Sequence, residues 1–251
     1  MLVTLLGTGA PLVPDRATTG MLVTAPGCEP LLIDTCGGFE LARQLAAVGA
    51  TLADVRNVVV THRHLDHAGG MQALLLARLP LQVYAGRDTH EGIAGVTAGC
   101  FPEWERHAEA RDHEVDAGEK RDIGGFEVAF FRAEHRVPTL AVRVTHAGRT
   151  FAFSADTIPC AAVVACARNA DLFLCDAICA DADGEVAANR ARELMHPTAR
   201  EAAEMATGAG AARLVCTHIG RFGNAARIEA EARASFAGTV LVATDGARLT
   251  V

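Results

Sequence analysis

The sequence has no excess of basic residues: its formal net charge is −7 at pH 7. Long nucleic acids bind mainly through contacts from Lys and Arg to phosphates, so this balance weighs against them as substrates. No apolar run approaches the roughly 20 residues that a membrane-spanning helix needs. Residues 1–6 run into Gly7 without a basic segment or a cleavage site, so we expect no signal peptide.

The spacing of the cysteines does not indicate a disulfide framework either. The eight cysteines follow no Cys-x-x-Cys spacing, and most of them lie in apolar segments, as buried reduced thiols do. Hydrophobic residues make up 50% of the chain, which allows a sizeable core and argues against disorder. With no linker or repeat in view, we expect one domain over residues 1–251 in a cytoplasmic protein with free thiols.

Hydrophobic periodicity predicts an α/β chain. Helices are expected over 39–49, 69–78, 160–168, 198–207 and 225–235. Strands are expected over 2–6, 21–25, 30–34, 57–60, 81–84, 126–131, 140–144, 150–154, 172–175, 213–216 and 239–243. The pattern weakens over 86–121, which we interpret either as a cover over the mouth of a site or as a solvated surface excursion.

A dense group of potential metal ligands follows the β-branched run 58–60. His62, His64, Asp66 and His67 lie within six residues, on the loop that leaves the predicted strand. Neutral imidazoles and carboxylates are the ligands that borderline divalent metals prefer, zinc first among them. A chance cluster of this density is rare, so the sequence predicts a metal site at the carboxyl end of this strand.

The pattern His-x-His-x-Asp-His resembles the signature of the metallo-β-lactamase superfamily. That resemblance implies a four-layer αββα sandwich with a dinuclear metal site. It implies that Asp34, at the end of a strand, steadies the metal loop. It further implies that one metal is held by two early histidines and one later histidine, and the second by an aspartate and two histidines. A bridging aspartate joins them, so the expected ligands are His62, His64, Asp66, His67, His135, Asp156 and His218.

Motifs within the superfamily point to different groups. Residues 61–70, THRHLDHAGG, resemble glyoxalase II, whereas His196-Pro197-Thr198 followed by a helix is similar to ribonuclease Z. Between His135 and Asp156 the chain has room for one hairpin, so it lacks the long arm with which ribonuclease Z enzymes grip tRNA. We therefore favour hydrolysis of small phosphodiesters. Thioester, lactone or sulfate-ester hydrolysis and tRNA 3′ endonuclease activity are the alternatives.

The resemblance implies two divalent ions, zinc before manganese or iron, about 3.5–4 Å apart and sharing a hydroxide as nucleophile. Asp66 is expected to orient that hydroxide and take its proton. His196 is expected either to protonate the leaving group or to stabilise charge on a non-bridging oxygen. Its alternative role is a histidine at the start of a helix that does not touch substrate.

A second class stays open at this point, namely a metal-dependent binding or sulfur-transfer protein, or a flavodiiron redox protein. Flavodiiron sites have a carboxylate where this loop has His64, which favours hydrolysis. The expected partners are a small-molecule ester, nucleic acid only as short pieces, no membrane, and a second copy of the chain in a homodimer.

Overall fold

The computed structural model describes residues 1–103 and 109–251, so Glu105 and His107, in the segment of weak pattern, lie outside the described residues. The described strands are β1 Leu2–Gly7, β2 Gly20–Thr24, β3 Leu31–Thr35, β4 Asn57–Val60, β5 Gln82–Ala85, β6 Arg111–Glu114, β7 Lys120–Ile123, β8 Phe126–Ala133, β9 Thr139–His146, β10 Arg149–Phe153, β11 Leu172–Asp176, β12 Arg213–Thr217, β13 Thr239–Val242 and β14 Arg248–Thr250. The described helices are α1 Glu40–Ala47, α2 Leu65–Ala68, α3 Met71–Leu76, α4 Arg87–Cys100, α5 Ala161–Cys166, α6 Glu185–Leu194, α7 Ala199–Ala209 and α8 Ala225–Ser235.

Two mixed sheets share one pattern of strand directions. The first has the order β14-β1-β2-β3-β4-β5-β6 and the second β13-β12-β11-β10-β9-β8-β7. Strands β3 to β6 run parallel in the first sheet, and β10 to β13 run parallel in the second. The remaining neighbours in each sheet pair antiparallel. Each half of the chain therefore builds one sheet, except that β14 returns to pair with β1.

Apolar side chains hold the two sheets face to face and cover their outer faces with helices. Val3, Ile33, Phe130 and Phe151 belong to the cluster between the sheets. A second cluster joins the first sheet to α1 and α3, and a third joins the second sheet to α5, α7 and α8. This arrangement is the predicted four-layer αββα sandwich.

The carboxyl ends of the parallel strands bring the chemistry to one edge. Asp34 ends β3, and the histidine-rich loop follows β4. In the second sheet, Asp156 follows β10, Asp176 ends β11 and His218 follows β12. Because parallel strands end on the same side, residues far apart in sequence converge where the two sheets meet.

The segment over 86–121 has more structure than the sequence indicated. Its described part forms α4, β6 and β7, and β6 extends the parallel run of the first sheet. These elements had not been predicted, because α4 buries only Thr89 and Thr97 and so carries little apolar periodicity. Most of their residues are exposed or half-buried, as in the solvated surface excursion that was one of the two interpretations. Helix α6 was also missed. No helix in the described ranges is long and apolar enough to cross a membrane.

Gly70 lets the chain after the histidine loop pass very close to the first sheet. A Cβ atom at this position would lie 1.8 Å from the carbonyl oxygen of Thr35. Helix α3 begins after Gly70, and the Gly70 N–H donates to the carbonyl of Cys36 at 3.0 Å. A side chain at Gly70 would therefore push the histidine loop away from β3.

We expect Gly70→Ala to lower the free energy of unfolding by about 1–3 kcal/mol, the usual cost of overpacking. Gly95 is a matched control, since it is an exposed glycine inside α4 with open space around a built Cβ. Gly95→Ala should raise the free energy of unfolding by about 0.5–1 kcal/mol through helix propensity. Urea denaturation measures both, and equal midpoints for the two variants would contradict the close approach.

Candidate metal centre

The Asp34 carboxylate organises the histidine-rich loop. It accepts hydrogen bonds from the Thr61 backbone N–H at 2.8 Å and from the Thr61 hydroxyl at 2.9 Å. Its Oδ2 lies 2.7 Å from His67 Nδ1. Asp34 and His67 are fully buried, and the bonds fix both the start of the loop and the orientation of one imidazole. This is the steadying role that the resemblance implied for Asp34.

Three of the predicted histidines form a first group with Asp156. His64 Nδ1 lies 3.1 Å from His62 Nε2 and 3.3 Å from His135 Nε2. Asp156 Oδ2 lies 3.6 Å from His62 Nε2 and 3.7 Å from His135 Nε2. The four side chains offer ligand atoms that all lie within 4.8 Å of one another.

The other predicted residues form a second group around the same carboxylate. His67 Nε2 lies 3.2 Å from Asp156 Oδ1 and 3.4 Å from Asp66 Oδ2. His218 Nε2 lies 3.5 Å from Asp156 Oδ2 and 3.9 Å from Asp66 Oδ2. Asp156 is therefore common to both groups, and the structure brings together all seven residues that the sequence singled out.

Hydrogen bonds at Nδ1 orient two of the imidazole rings so that the lone pair of Nε2 points into the groups. His67 Nδ1 faces a carboxylate, and His135 Nδ1 faces the carbonyl oxygen of Met195 at 3.2 Å. Both nitrogens must therefore carry the proton, which leaves Nε2 of each ring as a lone-pair donor. Such an outer hydrogen bond is the usual support of a metal-bound histidine.

Two buried atoms of the groups lack a hydrogen-bond partner among the described residues: His67 Nε2 and Asp156 Oδ1. They face each other at 3.2 Å but without the alignment of a hydrogen bond. Leaving buried polar atoms unpaired is costly, and a divalent cation between them removes that cost. Imidazole and carboxylate donors in this arrangement fit such a cation.

Electrostatics in the groups also favours a cation. Burial lowers the pKa of His135 and of His218 to about 4, so both rings are neutral at pH 7. Although burial opposes ionisation of Asp156, His218 and His67 hold its pKa well below the usual range. Burial likewise opposes a charge on His67, but the carboxylates of Asp156, Asp66 and Asp34 raise its pKa well above 6.5. His135 and His218 are therefore neutral donors beside buried carboxylates, and at His67 a divalent cation on Nε2 would take the place of the proton that these carboxylates favour there.

Backbone strain is concentrated here. Asp34, Ala155, Met195 and His218 have φ values between 53° and 63°. Residues with a Cβ rarely adopt this left-handed conformation. Each of the four is a candidate ligand, or a residue next to or supporting one, so the strain coincides with the site, as is common at functional centres.

His196 lies beside the two groups with a buried partner of its own. Its Nδ1 is 2.7 Å from Asp176 Oδ2. Although burial opposes a charge on His196, Asp176 raises its pKa to about 9. Burial also raises the pKa of Asp176 to about 7, but at 2.7 Å the charged pair is favoured. No role was predicted for Asp176, although its position at the end of an apolar strand was the available signal.

Helix α7 begins at Ala199, one residue after the predicted start at Thr198, and the Thr198 backbone N–H donates to Glu201 Oε2 at 2.9 Å. The Thr19 hydroxyl lies 2.9 Å from His218 Nδ1 and orients that ring. This contact was not predicted from the sequence. It had no signal in the sequence, because Thr19 is distant along the chain.

A cavity of about 580 Å³ opens onto the groups. Its wall includes His64, Asp66, His135, Asp156, His196 and His218. No described residue of the segment 86–121 lines it, so the expectation that this segment covers the mouth is not met by its described part. Helix α6 and the turns around Leu12 and Phe222 form the wall instead.

A four-layer αββα sandwich that gathers histidines and aspartates at one edge of its sheets is the architecture of the metal-dependent hydrolases to which this chain is similar. The chain belongs to the β-lactamase superfamily: the family model described as "Beta-lactamase superfamily domain" matches residues 30–219. Within that superfamily the chain is ribonuclease Z-like. It lacks an arm between His135 and Asp156, where the structure has the hairpin β9–β10.

Proteins of known sequence or structure that resemble this chain include ribonuclease Z enzymes and a metallo-β-lactamase fold protein. A ribonuclease Z of Mycobacterium sp. strain KMS is 33% identical over 240 residues, covering 86% of this chain and 83% of its own length. The short form of human tRNase Z is 25% identical with a TM-score of 0.77, covering 100% of this chain and 99% of its own. The metallo-β-lactamase fold protein YhfI from Bacillus subtilis superposes with a TM-score of 0.85 at 24% identity, covering 99% and 98%. Divalent metal binding follows from the fold together with the two groups.

Proposed function

We propose that the chain hydrolyses small phosphodiesters and uses two divalent cations as cofactors, with zinc as the preferred metal. The observation that carries the proposal is the double role of the Asp156 carboxylate, whose oxygens lie near three histidines of one group and near two histidines and Asp66 of the other. His62, His64 and His135 would hold one cation, and Asp66, His67 and His218 the other. The imidazole-rich donor set favours zinc, with manganese or iron as alternatives.

When bound, two such cations supply a water of lowered pKa and stabilise the attacking and leaving oxygens of an in-line displacement. Asp66 lines the cavity, and His67 and His218 keep its pKa below the usual range although burial opposes this. Its carboxylate is therefore ionised and can orient the attacking water and accept its proton.

His196 has the position and charge for the other side of the reaction. Its ring lines the cavity, and the bond from Nδ1 to Asp176 leaves Nε2 free for substrate. With a pKa of about 9 the ring is protonated at pH 7. It can therefore protonate the leaving oxygen or donate a hydrogen bond to a non-bridging oxygen.

The surroundings of the two groups favour a small substrate. A cavity of about 580 Å³ suits a small ester. The short hairpin β9–β10 and the net charge of −7 give little to hold a long polyanion. The tRNA 3′ endonuclease remains the second candidate, because the curated relatives at 31% and 33% identity are named ribonuclease Z.

A substrate comparison tests the proposed reaction. We expect the metal-loaded protein to hydrolyse bis(p-nitrophenyl) phosphate faster than p-nitrophenyl sulfate, thioesters or lactones, and to cleave precursor tRNA poorly. Steady-state kcat/KM on each substrate is the measurement. Faster turnover of a thioester, lactone or sulfate ester would replace the phosphodiester assignment. Efficient cleavage of a precursor tRNA just after the discriminator base would favour the second candidate.

Metal content tests the shared carboxylate. We expect two divalent ions per chain in wild type, and Asp156→Ala should loosen both because Asp156 belongs to both groups. His135→Ala, which touches the first group, should weaken one ion and leave about one per chain after dialysis. Elemental analysis and circular dichroism check binding and folding. One ion or none in carefully prepared wild type would count against the proposal.

The role of His196 is tested by the leaving group. If His196 is the general acid, His196→Ala should slow hydrolysis of a diester with a poor alkoxide leaving group by about 10²–10⁴-fold. It should slow release of p-nitrophenolate much less, because that anion leaves readily without a proton. Rates on both substrates are compared for wild type and variant.

Equal losses on the two substrates would assign His196 to charge stabilisation on a non-bridging oxygen, since that charge develops in either case. A variant that matches wild type on both would remove His196 from the reaction.

A further inference from the structure

Three large apolar side chains at the outer part of the cavity are exposed to solvent. Leu12, Leu65 and Phe222 all line it, and they are 85%, 61% and 43% exposed. Single exposed apolar side chains are common on protein surfaces, but several around one opening mark a binding surface. Leu65 lies between His64 and Asp66 in sequence, so this apolar rim adjoins the metal centre.

Leu12 is held in a conformation that does not suit it. Pro11 and Leu12 occupy the turn after β1, and the φ of Leu12 is 65°. Glycine is the usual residue in turns that require this left-handed conformation. A leucine that is both strained and solvent-exposed contributes little to folding, so its place at the mouth points to a contact with a ligand.

Apolar residues of helix α6 also belong to the lining of the cavity. Ala187, Ala191 and Leu194 of this helix pack with Ile178 behind the opening, and the two alanines are almost fully buried. The two alanines are four residues apart and therefore adjacent on the helix surface. Together with Leu12, Leu65 and Phe222, these apolar residues make most of the described lining outside the metal centre apolar.

The polar side chains of the wall limit what the outer part of the cavity can bind. Among the described residues, the lining contains no Ser, Thr, Asn, Gln or Tyr side chain, and its only carboxylates are Asp66 and Asp156. Arginine donates hydrogen bonds but cannot accept them, so a sugar or another hydroxyl-rich group would find no side-chain hydroxyl, amide or carboxylate acceptor in the described outer lining. A cationic group would need a carboxylate in the outer part.

Arginines supply the remaining charge. Arg136, Arg190 and Arg221 line the cavity, and the guanidinium of Arg221 lies 4.6 Å from the centroid of the Phe222 ring. Arg190 pairs with Glu193 at 3.0 Å, whereas no carboxylate among the described residues forms an ion pair with Arg221. The mouth can therefore attract an anionic ester although the whole chain is acidic.

We propose that this rim is a subsite for an aromatic ring on one ester group of the substrate, so that the preferred substrates are aryl phosphodiesters rather than sugar phosphodiesters. The inference rests on the proposed function. Phe222 and Leu12 contact the ring, Arg221 attracts the anion, and the metal centre receives the phosphate. Phe222 and Leu12 are thus specificity-determining residues.

Binding of phosphate monoesters to the metal-loaded protein tests the subsite directly, because each compound carries one ester group. We expect calorimetry to show that phenyl phosphate binds about tenfold more tightly than methyl phosphate, the usual gain from aromatic packing and burial. Thymidine 5′-phosphate should bind more weakly than phenyl phosphate. Equal affinity for the phenyl and methyl esters, or tightest binding of the thymidine ester, would overturn the proposal.

Two variants locate the contact. Phe222→Ala should reduce the preference for phenyl over methyl phosphate to about threefold or less. Phe39→Ala is the matched control, since Phe39 is also exposed, at 54%, but does not line the cavity. It should keep the wild-type preference, and an equal loss in both variants would remove Phe222 from the subsite.

Leu12→Gly separates binding from folding. Glycine relieves the positive φ, so the urea midpoint should stay the same or rise while the preference for phenyl phosphate falls. An unchanged preference would remove Leu12 from the subsite.

The two proposals fail in different ways. If no phosphodiester is hydrolysed, the proposed reaction is wrong, but the binding ratio still measures the ring subsite. If phosphodiesters are hydrolysed and the phenyl and methyl esters bind alike, the reaction stands and the subsite is overturned.

Discussion

The structure depends on one buried carboxylate that serves two groups of histidines. Asp156 is 2% exposed and lies within 3.2–3.7 Å of ring nitrogens from His62, His67, His135 and His218. A carboxylate in that position is unfavourable unless a positive charge compensates it. The strained backbone at Ala155, immediately before it, shows that the fold holds this side chain in place against local preference.

The two sheets make this arrangement possible. Each contributes parallel strands whose carboxyl ends face the same edge, and the apolar cluster between the sheets fixes their relative position. Asp34 and the histidine loop come from one sheet, and Asp156, Asp176 and His218 come from the other. The centre lies where the sheets meet, so its geometry depends on the whole core rather than on one loop.

The sequence predicted most of the strands and all seven candidate ligands. Strands such as β4 and β12 are apolar runs directly followed by histidines, and both signals are local. The sequence did not predict elements that bury few large apolar side chains, because their hydrophobic periodicity is weak. Helix α4 buries few residues, and α6 buries only alanines, which carry little periodic signal. Asp176 was overlooked because a single carboxylate has no spacing to reveal its partner.

The sequence by itself determined the chemistry of the centre, because ligand type and spacing are local properties and the order of the motifs fixes which strands deliver them. Only the tertiary structure decided which residues share Asp156, which hydrogen bond holds each imidazole, and what surrounds the opening. Leu12, Leu65 and Phe222 are unremarkable as separate residues in the chain. They become one apolar rim only because two turns and the start of helix α2, from distant positions in the chain, meet at the same edge, and that convergence is set by the packing of the two sheets.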